Sequence, residues 1–347
     1  GSSYGGPAFY MHQALHARWL GVLFSILIIF TYAVGYNMLA AYNLQTSFKA
    51  FSFYNESSTP AVIGVILMVL FAVIVLGGAK RLVNVTGILV PIMGVLYVAI
   101  SILVLVMNAG NLGTMFGRIF ESAFDFKAIF GGFTGSCLMF GLKRGLYSNE
   151  AGMGSAPNAA ATADVSHPAK QGLVQMLSVF IDTLLICSAT ALMCLSTNVM
   201  PADYATREPI EFVQDSMSST LGSFGPVFIT VALTLFAFTT LIGNYSYCEG
   251  CLKFILKRDP SKGFLTVFRL IASAIILLGA IASAGLVWDT ADMAQGLMVV
   301  TNVPSILILG GVALKCFKDY ERQRKEGKNP VFKAANIGLF DKLDFWQ

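Results

Sequence analysis

Apolar residues in this chain fall in runs long enough to cross a bilayer, and polar residues fall in the short stretches between them. A transmembrane helix needs about 20 apolar residues. Runs of that kind cover 19–44, 60–79, 85–108, 128–163 with an interruption, 171–197, 225–248, 264–287 and 295–316. Between them stand turn formers such as Asn55-Glu56-Ser57-Ser58 and Asp259-Pro260-Ser261-Lys262-Gly263. The pattern predicts an all-α membrane protein with eight transmembrane helices. It has one membrane domain over 1–316 and a charged tail over 317–347.

Composition agrees with that reading. Of 347 residues, 56% are hydrophobic and 12% charged, with mean hydropathy +0.70. Soluble domains carry about 25% charged residues, so the lipid bilayer must be the solvent. The net charge of +4 is dispersed between the apolar runs and gives no nucleic-acid signature. It carries topology instead, because Lys and Arg gather on the cytoplasmic side. With residues 1–18 placed inside, 19 of the 23 Lys and Arg fall inside, counting the interrupted span with them. Only Lys49, Arg118, Lys127 and Arg207 fall outside. The outer loop 198–224 is acidic, with Asp203, Glu208, Glu211 and Asp215. The expected location is the cell (inner) membrane, multi-pass, with the tail cytoplasmic and its end, GLFDKLDFWQ, a short surface helix. The chain opens GSSYGGPAFY, and earlier helices are expected to precede it. Cys248 and Cys251 have CxxC-like spacing, but without a second pair or a nearby His they read as small apolar helix residues.

One run cannot be an ordinary membrane helix. Residues 128–163 read AIFGGFTGSCLMFGLKRGLYSNEAGMGSAPNAAATA. An apolar half is followed by Lys143, Arg144, Ser148, Asn149 and Glu150, with Gly145, Gly152, Gly154 and Pro157 among them. Glycine loosens a helix and proline breaks it. Broken backbone at membrane depth is tolerated where it is buried in protein or lines a cavity. Transporters build midplane sites from such half-helices, offering freed N–H groups to a carboxylate and freed carbonyls to a cation. The alternative is a helix ending at Leu142 with an ordinary loop after it. The many small residues and few solvating charges argue for the broken helix, with its break near Ser148–Gly154.

Other polar residues sit deep in apolar spans. Asn37 is the deepest amide of the first run, which also carries Tyr36, Asn43 and Gln45. Asp182, in FIDTLLICS, must be paired, protonated or facing water; a structural pairing with Arg144 and an ion-binding role are both open. Thr239 and Thr240 either bond back to their own helix or offer hard oxygens to sodium. Asn244 falls on the same face as Thr240.

At these residues the chain resembles the alanine or glycine:cation symporter family. RGLYSNEAGMGSAPNAAATA is close to that family's signature. Similar too are GGPAFY, HPAKQGL, LFAFTTLIGN and LGGAKRLVNVTGILVPIMGVLYV, so the resemblance covers essentially the whole chain. It implies a leucine-transporter-type fold of two inverted five-helix repeats, with the eight spans as helices three to ten and helices one and two missing. A faint repeat is visible in VPIMGVLYVAI and VPSILILGGVAL, each with a proline near one end. The resemblance makes the interrupted span the sixth helix and Thr239 with Thr240 the sodium-binding hydroxyl pair of the eighth. Part of the ion and substrate site would come from the missing first helix. Asn244, where many relatives carry Trp, and Ala40-Ala41-Tyr42-Asn43, where many carry a Gln-Ala-Asn-like run, depart from the family pattern.

The expected function is sodium-coupled symport of a small neutral amino acid by alternating access. The substrate would be held by Asn37, Ser148, Asn149, Gly152, Met153, Gly154 and Asn244, with Glu150, Asp182 and Arg144 as coupling or structural charges. Sodium is the one expected ion, and no other cofactor is expected. A proton-coupled transporter of the same fold, with Asp182 or Glu150 carrying the proton, is the alternative. An enzyme is disfavoured by the lack of HExxH and GxSxG motifs and by three histidines, His12, His16 and His167, all in predicted cytoplasmic segments. No repeated filter sequence suggests a channel.

Overall fold

The computed structural model describes residues 5–77, 80–124, 137–200 and 207–338. Among these residues all regular structure is helical. Seven helices are long and apolar enough to cross a membrane: α2 (Arg18–Ala50), α3 (Thr59–Gly77), the Val90–Met107 stretch of α4 (Lys80–Met107), α8 (Pro168–Leu195), α10 (Phe224–Leu256), α11 (Lys262–Ile281) and α12 (Ala284–Lys325). Shorter helices are α1 (Pro7–Gln13), α5 (Leu112–Ala123), α6 (Cys137–Asn149), α7 (Ala156–Ala160) and α9 (Pro209–Leu221). The interrupted span appears as α6 and α7. Its first residues, 128–136, lie outside the described residues, as do Lys127, Asp203 and nearly all of GLFDKLDFWQ.

Local chemistry sets the boundaries. Pro begins α1, α8 and α9 and lies in the first turn of α7, where its missing N–H costs nothing. Ser261 caps α11 by accepting the Phe264 N–H at 3.2 Å. Lys257 closes α10 in the left-handed region at φ 56°. The expected runs 264–287 and 295–316 need correcting. The chain turns at Ala282 and Ser283, both extended, so α11 ends at Ile281 and α12 begins at Ala284. The last helix then continues unbroken through residue 316 to Lys325. Pro91 and Pro304 both lie inside helices, α4 and α12.

The bundle packs through small residues. α11 lies against both α2 and α3. A Cβ on Gly279 would sit 2.3 Å from Met38 Cα, and one on Gly64 would sit 2.8 Å from Ala280 Cβ. In lipid such close backbone approach is a main source of helix association, because tails and Leu side chains are equally apolar. Tracing the chain, one end of the bundle gathers the turns at 51–58, 108–111 and 282–283. The other gathers 14–17, 161–167, 257–261 and the segment after Lys325. Large apolar side chains such as Val95, Val300 and Leu307 stand exposed around the periphery at 70%, 72% and 74%, as lipid-facing positions do.

Candidate functional site

The centre of the bundle is organised around the gap between α6 and α7. α6 ends at Asn149, and the next residues take conformations no helix uses. Glu150 is left-handed at φ 55°, Gly152 has φ 88° and Gly154 φ 94°. A non-glycine residue in that region is uncommon and marks a held conformation. The turn is pinned locally: Asn149 accepts the Ala151 N–H at 2.9 Å, and the Ser155 hydroxyl donates to Glu150 at 2.5 Å. The two glycines differ. A Cβ on Gly152 would meet only Val303, at 3.4 Å, whereas one on Gly154 would meet Phe24 and Pro7 at 2.7 Å. The backbone at Gly152 therefore has room beside it, and at Gly154 the protein packs against it. The Met153 side chain is fully buried in the core.

Two neighbours of this break are themselves distorted. α2 widens into π-helical turns over Phe30–Tyr36, and α8 does so over Ile181–Cys187. Such bulges shift backbone registration and concentrate at functional positions. Both touch the break. The Tyr36 hydroxyl lies 3.5 Å from the Met153 sulfur and donates to Gln295 at 3.0 Å. On the other side the Ser148 hydroxyl donates to Asp182 at 2.7 Å, and the Asn149 amide donates to Thr183 at 3.0 Å. Asp182 is thus partnered by Ser148. Arg144 bonds elsewhere.

Arg144 reaches α12. One of its terminal nitrogens lies 2.8 and 2.7 Å from the two oxygens of Asp292, and its guanidinium stands 4.2 Å over the Trp288 ring. Lys143 adds a second cation 3.3 Å from Asp292, and the Gln295 amide donates to the same carboxylate at 3.1 Å. Further along α12, the Asn302 amide donates to the Gly152 carbonyl at 2.8 Å while its oxygen accepts from the Tyr10 hydroxyl. Sequence reasoning missed Asp292, Gln295, Asn302, Trp288 and Tyr10. The available signal was helical spacing, since 292, 295 and 302 fall on one face of an apolar helix.

Asn37 and Asn244, both expected beside the substrate's side chain, bond to each other. The Asn244 amide donates to the Asn37 oxygen at 2.9 Å, and both residues are buried. Asn37 follows directly on Tyr36, so this pair adjoins the π-helical turns. Thr239 and Thr240 lie one turn before Asn244 on α10. The Thr239 hydroxyl bonds back to the Phe236 carbonyl at 2.9 Å, and Thr240 is exposed. Cys248 and Cys251 are free and buried on the same helix. A separate cleft of about 350 Å³ opens at the end carrying the 51–58 turn, lined by Tyr42, Gln45, Lys49, Tyr54 and Glu56, away from the break.

Long apolar helices surrounding one broken helix, whose Ser148, Asn149 and Met153 meet two distorted neighbours, form the architecture of a multi-pass secondary transporter. The profile of the sodium:alanine symporter family matches residues 1–334. The chain belongs to that family, which is one of transporters, not enzymes. It is 40% identical over 343 residues to "Amino-acid carrier protein AlsT" of Bacillus subtilis, covering 99% of this chain and 71% of that one. It is equally 40% identical over 343 residues to "Probable sodium/glutamine symporter GlnT" of the same organism, covering 99% and 70%. Similarity reaches the archaeal "Sodium/alanine symporter AgcS" of Methanococcus maripaludis, at 33% over 335 residues, covering 95% and 72%.

Proposed function

We propose that the protein couples sodium entry to the uptake of a small neutral amino acid by alternating access, as a multi-pass protein of the cell membrane with its C-terminus in the cytoplasm. The observation that carries this reading is the contact of the α6–α7 break with both π-helical segments. Three backbone irregularities come together there, and Gly152 leaves the backbone approachable. Alanine and glutamine in the names of the relatives fit a substrate that is neutral outside its zwitterionic end. In this reading the spans are helices three to ten of a five-plus-five inverted repeat. Ser148, Asn149 and the backbone of Gly152, Met153 and Gly154 hold the substrate's charged end, and Asn37 with Asn244 face its side chain. Thr239 and Thr240 contribute sodium oxygens. Neither Asn helix brings a cation or carboxylate to the pair, and burying an unpaired charge costs far more than burying a methyl group.

Glu150, hydrogen-bonded to Ser155 inside the break, favours a second reading in which a proton replaces or accompanies sodium. Uptake of labelled alanine, serine and glutamine by the purified transporter in proteoliposomes tests both. Sodium gradients are expected to drive uptake, and a pH gradient alone is not. Glutamate or lysine competing as well as alanine would overturn the neutral-substrate reading.

A further inference from the structure

Beyond α12 the described residues do not trail away from the bundle. Residues 329–337 fold back as a strap against the corner where α7 leads into α8. The strap is bonded on two sides. Toward the corner, the Phe332 N–H donates to the Ser166 carbonyl at 2.9 Å, and the Ser166 hydroxyl donates to the Pro330 carbonyl at 2.9 Å. Lys170 links Ser166 and Asn329 at 2.7 and 2.6 Å. Toward α12, the Gln323 amide bonds Val331 in both directions, at 3.0 and 2.9 Å. Between the two sides sits His167, wholly buried, with the rings of Phe332 and Tyr320 5.2 and 5.3 Å away. A lone capping histidine would need none of this enclosure.

We propose that this strap is a latch, tying the segment beyond the broken helix to the end of α12 and releasing when that end of the transporter opens. α7 and its following corner are separated from α6 by the break, so they form the part of the span free to move. The strap is a discrete set of directional bonds between that part and the last helix, and such a set either holds as a whole or lets go. The proposal rests on the transport reading for its coupling to substrate exit, but not for the latch itself.

His167 gives the latch a chemical signature. Its Nδ1 accepts the Ala169 N–H at 3.1 Å, so the ring proton is on Nε2, 3.4 Å from Asp319. The charged groups around it are Asp319 from α12, itself bonded to Arg322, and Lys170 from α8. Burial lowers the His167 pKa, more than Asp319 raises it. The docked form therefore binds fewer protons than the released one. The contribution of His167 to docking is thus complete above the ordinary histidine value, about 6.5, and is lost progressively as pH falls below it toward the lowered docked value.

Hydrogen–deuterium exchange of the transporter in lipid nanodiscs tests this, read at the Val331 and Phe332 amides. At about pH 7.5 these amides are expected to be protected. After correction for intrinsic rates, protection should fall as pH is lowered to about 5.5, by at most roughly tenfold, the limit for one proton over one pH unit. His167→Phe, which keeps a ring in the slot, should hold its protection across that range. Phe332→Ala should lose it throughout and raise substrate exchange several-fold with sodium dependence unchanged; protected membrane helices serve as the folding control. Unprotected amides at pH 7.5 overturn the latch, as does the same pH response in His167→Phe and wild type. So does an unchanged exchange rate in a Phe332→Ala protein that has lost its protection. If the wild type moves no amino acid at all, the transport reading falls while the deuterium results still decide the latch.

Discussion

The ion pair Arg144–Asp292 ties the broken span to α12, and its removal has a calculable effect. Arg144 lies on α6 one turn before Ser148, and Asp292 lies on α12, so the pair holds the first half of the broken span against the last helix. The arginine and aspartate side chains are 36% and 14% exposed. Fully exposed pairs contribute about 0.2–1 kcal/mol, and fully desolvated ones cost about 2–5 kcal/mol when one partner is truncated. This half-buried pair, strengthened by two contacts at 2.7 and 2.8 Å and by the Trp288 ring, belongs between them, at about 1.5–3 kcal/mol. At 1.4 kcal/mol per decade, that shifts the closed population roughly 10- to 100-fold. Asp292→Asn preserves shape but leaves Arg144 and Lys143 facing each other without their anion. The assay is a double-mutant cycle of Arg144→Gln and Asp292→Asn, read as the apparent affinity of sodium-driven uptake, with thermal unfolding as a control. Each single change should weaken apparent affinity by that factor, and the double should be no worse than the worse single. Additive losses, with coupling within about 0.5 kcal/mol of zero, would refute the assignment of the pair as a closing contact.

Three further outcomes follow from other contacts. Gly154→Ala forces a Cβ within 2.7 Å of Phe24 and Pro7 at φ 94°, and Gly279→Ala forces one within 2.3 Å of Met38 Cα; each is expected to cost about 1–3 kcal/mol and lower the unfolding temperature in detergent, whereas Gly152→Ala, strained at φ 88° but touching only Val303 at 3.4 Å, should cost less stability than Gly154→Ala and lose transport. Replacing Thr239 and Thr240 together with Val keeps their shape and removes two oxygens, so sodium stimulation should fall sharply in a folded protein; unchanged sodium dependence removes them from the ion site. Asn37→Leu or Asn244→Leu strands the partner amide at a cost of about 1–3 kcal/mol, and the double change should be less destabilising than the sum of the singles, as thermal unfolding will show.

The two kinds of feature differ in how legible they were in the sequence. Runs of apolar residues located seven long helices because span length is a local property of the chain. The break was legible for the same reason, since Gly152, Gly154, Pro157 and the polar string before them stand together. What failed was any feature without a local mark. The turn between α11 and α12 is two small residues inside continuous apolar sequence, and only Ser283, which caps Leu286 at 3.5 Å, signals it. The π-helical turns carry no proline and read FTYAVGY and IDTLLIC. Arg144 and Asp182 were natural candidates to pair by charge, yet Arg144 chose a carboxylate 148 positions away. Pairing of that kind is decided by which helices touch, and no pattern within one helix records it.

The contacts of α12 also bear on how the broken span could alternate. This one helix meets each part of the span in turn: Asp292 holds α6, Asn302 holds the Gly152 carbonyl within the break, and Asp319 faces His167 beyond α7. At about 1.5 Å per residue, the positions from 292 to 319 extend over roughly 40 Å, the depth of a bilayer with its headgroup regions. A rigid rod could not release one end without disturbing the other. Pro304 lies inside the helix, between Asn302 and Asp319. Its ring removes a helical hydrogen bond and gives the helix a fixed place to bend. The loosened turn runs from residue 300 to Pro304 and includes Asn302, with the Asp292 contact on one side of it and the Asp319 contact on the other. The helix therefore has the means to keep the first half of the span closed while the latched end opens, which is the asymmetry that alternating access requires.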